Sequence, residues 1–147
     1  MKDGSAGKAI LRSEYRPYPW NLDQATFRFE IEHRHTRVKS TLDFSKKDTA
    51  QGGVLELDGQ NMKLVSVAVN GREPDASDYR VTADKLIVHD APSACRLDIE
   101  IDIEPASNTA LEGLYPSGDF LLTQCEPEGF RKISYFPDRP DVMTRYD

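Results

Sequence analysis

The chain has 147 residues, 38% hydrophobic and 30% charged, and a formal net charge of −6. That length suits one domain with a real hydrophobic core, and the acidic balance excludes the basic stripe of a nucleic-acid-binding surface. No run approaches the ~20 consecutive apolar residues of a membrane-spanning helix, so neither nucleic acid nor membrane is expected as a partner.

Residues 1–14 are expected to form a flexible leader. Met1 to Gly7 is small and polar, without the apolar core or cleavage site of a signal peptide. The two cysteines, Cys95 and Cys125, have no metal-ligand spacing. Together these features predict free thiols in a reducing compartment and a cytoplasmic location.

From Tyr15 to Asp147 the sequence reads as a single β-domain. The prolines in Tyr15-Arg16-Pro17-Tyr18-Pro19-Trp20 hold their predecessors extended, and the aromatics between them are expected to pack. From Ala25, Phe27, Phe29 and Ile31 alternate with Arg28, Glu30 and Glu32, the pattern of a half-buried strand. His33, Arg34 and His35 interrupt it, and Val38, Leu42 and Phe44 continue the alternation in a second strand of an antiparallel pair. His33 and His35 could ligate a metal if they shared a strand face, but no third ligand is near, and a solvated turn is the simpler expectation.

Ser45 to Gly53 is a polar loop, and Val54, Leu55 and Leu57 predict a short strand. Val65, Val67 and Val69 predict another, ending at the hairpin signal Asn70-Gly71. Tyr79 to Val81 and Lys85 to His89 predict two short strands more. Cys95 to Ile103 alternates most cleanly, with Cys95, Leu97, Ile99, Ile101 and Ile103 facing one way. Arg96, Asp98, Glu100 and Asp102 face the other, as a solvated face that protects a sheet edge. Many short strands and almost no helical periodicity predict an all-β fold: an antiparallel sandwich or saddle with a short irregular or helical C-terminal segment. Past Pro105 the chain is expected to turn around Gly113, Pro116 and Gly118. Phe120 to Thr123 would form a last strand, and Glu128 to Tyr135 one or two helical turns.

The stretch from Asn108 to Asp141 is richest in groups that could meet a ligand. Gln124 and Glu126 lie two apart, so an extended backbone projects both to one face and turns Cys125 away. A carboxylate beside a carbonyl acceptor suits a small cation such as a free peptide amine. Pro127 lowers the cost of a cis bond after Glu126, and a cis bond is expected there.

Asn-Thr-Ala-Leu-Glu-Gly-Leu-Tyr at 108–115, Thr-Gln-Cys-Glu-Pro-Glu-Gly-Phe-Arg at 123–131 and Asp-Arg-Pro-Asp-Val at 138–142 resemble the end of the N-terminal β-domain of the bacterial aminopeptidase N family. These enzymes are zinc-dependent exopeptidases. The resemblance implies that Glu126 helps hold the substrate's N-terminal amine and that Gln124 lies beside it, near the first side chain. It also implies peptides with a free N-terminus, and the remaining domains of the same chain, as partners.

The family's HExxH and Gly-x-Met-Glu-Asn motifs do not occur here, since His33, His35 and His89 are followed by Arg34, Thr36 and Asp90. The resemblance therefore implies a fragment cut before its catalytic domain, with no cofactor of its own and with zinc in the missing domain. Apolar groups once covered by that domain are expected around Tyr115, Phe136 and the C-terminal residues. Two other functions are open to the residues alone. One is a freestanding β-sandwich that binds a protein or peptide along an edge strand. The other is a hydrolase using Glu126 and Glu128 as paired carboxylates.

Overall fold

The structure is a computed structural model that describes residues 11–147. Residues 1–10 of the expected leader lie outside the described residues. The rest of the leader, Leu11 to Glu14, is exposed and makes one 3-10 turn at Arg12–Glu14.

Strand β1 (Trp20–Ile31) turns into β2 (Thr36–Lys46), and the two pair antiparallel along their length. Thr36 Oγ1 donates to the Glu32 carbonyl at 3.1 Å and braces the connection. His33 and His35 sit in this region, and His35 Nε2 lies 3.1 Å from Asp102. The expected pair of strands and solvated turn are both present. Strand β1 begins five residues earlier than the alternation suggested and slips register between Leu22 and Gln24. The slip lets Trp20, Leu22 and Ala25 all reach the core, and the far end, with Phe29 and Ile31, is left exposed.

The short strands are β3 (Leu55–Asp58), β4 (Lys63–Val69), β5 (Tyr79–Val81) and β6 (Lys85–Val88), and β7 runs from Ala94 to Ile103. Strand β8 (Gly113–Ser117) pairs with β9 (Phe120–Gln124), and β10 (Arg145–Tyr146) runs parallel beside β1. The large sheet has the order β10-β1-β2-β7-β4, the small one β3-β6-β5, and β8-β9 stands as a separate ribbon. One buried cluster joins the two sheets. Trp20, Leu22, Val38, Leu42, Leu97 and Ile101 of the large sheet meet Leu55, Leu57, Leu86 and Val88 of the small one. The fold is all-β, as the alternation predicts.

Strand β7 buries Cys95, Leu97, Ile99, Ile101 and Ile103 as expected. Its acidic face does not guard an edge, because β7 lies between β2 and β4. The face is partnered instead. Arg37 donates to both oxygens of Asp102 at 2.8 and 3.1 Å and lies 2.9 Å from Glu100, and Thr41 donates to Asp98 at 2.7 Å. On this side of the sheet the edge strand is β4, where a register shift between Leu64 and Ser66 leaves Val65 exposed and only Val67 fully buried.

Asn70 and Gly71 form the expected tight turn with φ of 51° and 74°, but it closes a single bridge between Val69 and Arg72, not a second long strand. Residues 113–117, expected to turn, form strand β8. A two-stranded ribbon has free edges on both strands, and Pro116 is tolerated in such a setting.

Candidate amine-binding turn

The β8–β9 ribbon sets the direction of the site. Its register pairs Gly113 with Gln124, Leu114 with Thr123, Tyr115 with Leu122 and Ser117 with Phe120. Opposed residues share a face, so Tyr115, Phe120, Leu122 and Gln124 project outward together. On the other face Leu114 is buried, and Leu121 and Cys125 pack against the core. Burial pushes the Cys125 thiol pKa up, with Asp138 adding to the effect, so it is held as an inert packing group.

The base of the ribbon is fixed by side chains. Asn108 Nδ2 donates to the carbonyls of Glu112 at 2.7 Å and Leu114 at 2.8 Å, while its Oδ1 accepts from the Ala110 amide. Lys132 pairs with Glu112. Gly113 has φ of 75°, and a Cβ there would lie 2.7 Å from Lys132 Cβ, so glycine is needed for both conformation and space.

Beyond β9 the chain folds back sharply. Glu126–Pro127 is cis, as expected, and Glu128 has φ of 61°. The Gly129 amide donates to the Cys125 carbonyl at 2.9 Å, and a 3-10 turn follows at Phe130–Lys132. Arg131 anchors that turn. Its backbone amide and Nε donate to Asp138 Oδ2 at 3.1 and 3.0 Å, and its Nη2 donates to the Asp138 carbonyl at 2.9 Å.

Gln124 and Glu126 are both exposed, and Cys125 between them turns inward. The strand ends at Gln124, so Glu126 stands in the turn that follows and not on an extended backbone. Gln124 Nε2 donates to the backbone carbonyl of Glu126 at 3.0 Å, which commits its amide nitrogen and leaves its Oε1 as an acceptor. Among the described residues no ion pair engages the Glu126 carboxylate, whereas Glu128 lies 3.5 Å from Arg131. The turn thus presents one free carboxylate and one oriented carbonyl, an acceptor pair for a cation.

Gln124 and Glu126 line neither of two clefts among the described residues, although the second reaches Glu128 and Arg131. One of about 750 Å³ is lined by His35, Asp102, Glu104, Asn108 and Lys132. A second of about 490 Å³ is lined by Tyr18, Glu56, Lys85, Glu128 and Arg139. Among the described residues no group of three His, Cys, Asp or Glu side chains could hold a metal, so the donor set present here does not fit a zinc site. The alternation of residues 124–126 singled out Gln124 and Glu126, and both are exposed. The contacts of Asn108, Gly129 and Asp138 escaped it because turn hydrogen bonds and the Arg131–Asp138 ion pair follow no periodicity.

Aligned with curated proteins, the chain is 43% identical over 139 residues to aminopeptidase N of Caulobacter vibrioides. It is 39% identical over 139 residues to aminopeptidase N of Escherichia coli. The chain matches the N-terminal β-domain of aminopeptidase N. Each alignment takes in 95% of this chain, and the chain spans 16% of the length of either aminopeptidase N.

Among solved structures, Legionella pneumophila aminopeptidase A in complex with aspartic acid superposes with a TM-score of 0.83 and 27% identity. The match covers 91% of this chain and 16% of that one. An M1 zinc metallopeptidase from Deinococcus radiodurans superposes with a TM-score of 0.71 over 87% of this chain and 31% of that one. At 16% identity it shows the shared fold alone. No protein-family model matches the chain.

Proposed function

We propose that this β-domain positions substrate in a zinc metallo-aminopeptidase, with Glu126 and Gln124 receiving the free N-terminal amine of a peptide. The observation that carries the reading is the turn at 124–126, where a carboxylate without an ionic partner among the described residues stands beside an oriented carbonyl acceptor. A peptide α-amine has a pKa near roughly 8 and is largely cationic at neutral pH. A carboxylate at a fixed distance from the reacting centre turns that charge into a ruler, so only the first peptide bond is in place for attack. The likeness to aminopeptidase N supports the assignment. Zinc, its ligands, the general base and a second carboxylate would come from other parts of such an enzyme. Cytoplasmic peptides with a free N-terminus are its proposed substrates, and the other domains of the same enzyme its proposed partners.

The decisive experiment is Glu126→Ala in the full-length enzyme, assayed on free-amine peptides with zinc content measured in parallel. A charge-assisted contact is worth roughly 1.5–3 kcal/mol, so kcat/KM is expected to fall by about tenfold to more than a hundredfold with zinc retained. Undiminished kcat/KM would assign the amine to another residue. The 147-residue chain alone is expected to leave an aminoacyl reporter intact, with or without added zinc. Zinc-dependent turnover by the purified chain, insensitive to Glu126→Ala, would overturn the domain reading.

A further inference from the structure

The acceptor pair at 124–126 is held in place from behind, at a residue with no side chain. Gly129 has φ of −93° and ψ of −17°, a conformation open to any residue, so the backbone does not call for glycine. Space does. A Cβ at Gly129 would lie 2.6 Å from Cys125 Cα, 2.7 Å from the Gln124 carbonyl oxygen and 3.1 Å from the Cys125 carbonyl carbon. All three are backbone atoms of the two residues that lead into the Glu126 turn. None can swing aside as the end of a flexible side chain could, and dense packing transmits the displacement to its neighbours. The same close approach lets the Gly129 amide reach the Cys125 carbonyl at 2.9 Å.

From this geometry we infer that Gly129 is a positioning residue for amine recognition, acting through the backbone of Gln124 and Cys125. The inference rests on the proposed role of Glu126. A methyl group at 129 pushes the end of β9 outward and moves the Gln124 carbonyl. It thereby displaces the linked pair formed by the Gln124 amide and the Glu126 carbonyl. A carboxylate that sets a distance fails when displaced by even an ångström, although its charge is intact.

Gly59 supplies the control. A Cβ there would lie 2.2 Å from two ring atoms of Tyr135, and Tyr135 is buried. Gly59→Ala therefore perturbs the core at Tyr135, and none of the three atoms nearest that Cβ belongs to residues 124–126.

The test is a double-mutant cycle on kcat/KM for free-amine peptides in the full-length enzyme, with Gly129→Ala, Glu126→Ala and both together, and with zinc content and thermal unfolding recorded. Gly129→Ala is expected to lower kcat/KM about tenfold or more, and the double variant to lose little beyond Glu126→Ala alone, since both remove one interaction. Gly59→Ala combined with Glu126→Ala is expected to be additive. Additive losses for Gly129→Ala and Glu126→Ala, or an unchanged kcat/KM in Gly129→Ala, overturn the positioning role while leaving that of Glu126 intact. Global unfolding of Gly129→Ala also overturns it, because that outcome makes Gly129 a general requirement of the fold. A neutral Glu126→Ala instead removes the proposed function beneath both.

Discussion

Asp141 ties together segments far apart in sequence. It accepts from the Tyr15 hydroxyl at 2.9 Å, from the Tyr18 amide at 3.2 Å and from Arg139 Nε and Nη2 at 2.7 and 2.8 Å. Arg139 Nη2 also donates to the Arg16 carbonyl at 2.8 Å. The Arg139 guanidinium, aided by Tyr15 and the Tyr18 amide and opposed by desolvation, holds the Asp141 carboxyl well below the ordinary carboxylate range. A carboxylate with a depressed folded-state pKa contributes its full stability above the unfolded-state pKa, and the contribution fades as pH falls toward the folded-state value. Partial exposure tempers the gain, so Asp141→Asn is expected to cost about 1–2 kcal/mol at neutral pH. Denaturant melts should show the gap between the two proteins closing below about pH 4; a gap that widens in acid would contradict the assignment. The sequence singled out residues 138–142 only through the resemblance. It could not name their partners, because Tyr15 and Tyr18 lie 126 and 123 residues away from Asp141. Arg131 by contrast finds its acid close by in sequence, at Asp138.

At the scale of elements, alternation located most strands because each buries one face. Strand β7 was legible residue by residue from Cys95 to Ile103, where the inward positions are all apolar and the outward ones all charged. Its place between β2 and β4 was not legible, because pairing partners are set by the whole sheet. Ile101, 1% exposed on that interior strand, should lose about 2–5 kcal/mol of stability on change to Ala, read as a drop in urea midpoint. Val65 makes the opposite case. It follows the period-two pattern of Val67 and Val69, yet the register shift beside it turns it outward to 42% exposure. Val65→Lys is therefore expected to change stability by no more than about 0.5 kcal/mol, whereas a loss above about 2 kcal/mol would mean that residue 65 belongs to the core. Strand β8 was missed because its glycine and proline are turn residues in most settings, and only the pairing with β9 makes them strand residues here.

Over the whole molecule, the surface departs from expectation in an informative way. Phe136, expected to be exposed, is buried: it bridges to Asp58 through backbone hydrogen bonds and packs edge-on against Phe130 at 5.1 Å. Tyr115 is half-buried. Exposed apolar groups in this part of the chain include Phe120 and Leu122 on the outward face of the ribbon, and Met143 and Tyr146 near the C-terminus. Local sequence could not separate these cases, since a long-range bridge decides which aromatics are covered. The join between the sheets also has an optical signature. The sequence contains a single tryptophan, and Trp20 is 1% exposed with its indole Nε1 donating to the Val54 carbonyl at 2.9 Å. Its ring therefore sits in the seam between the large sheet and the segment that leads into the small one. Intrinsic fluorescence is thus a one-fluorophore gauge of that seam, blue-shifted while the sheets are closed and red-shifted once water reaches the indole. A rearrangement of the 124–129 turn that leaves the Trp20–Val54 hydrogen bond intact is expected to leave the emission maximum where it was, so the gauge reports on the seam itself.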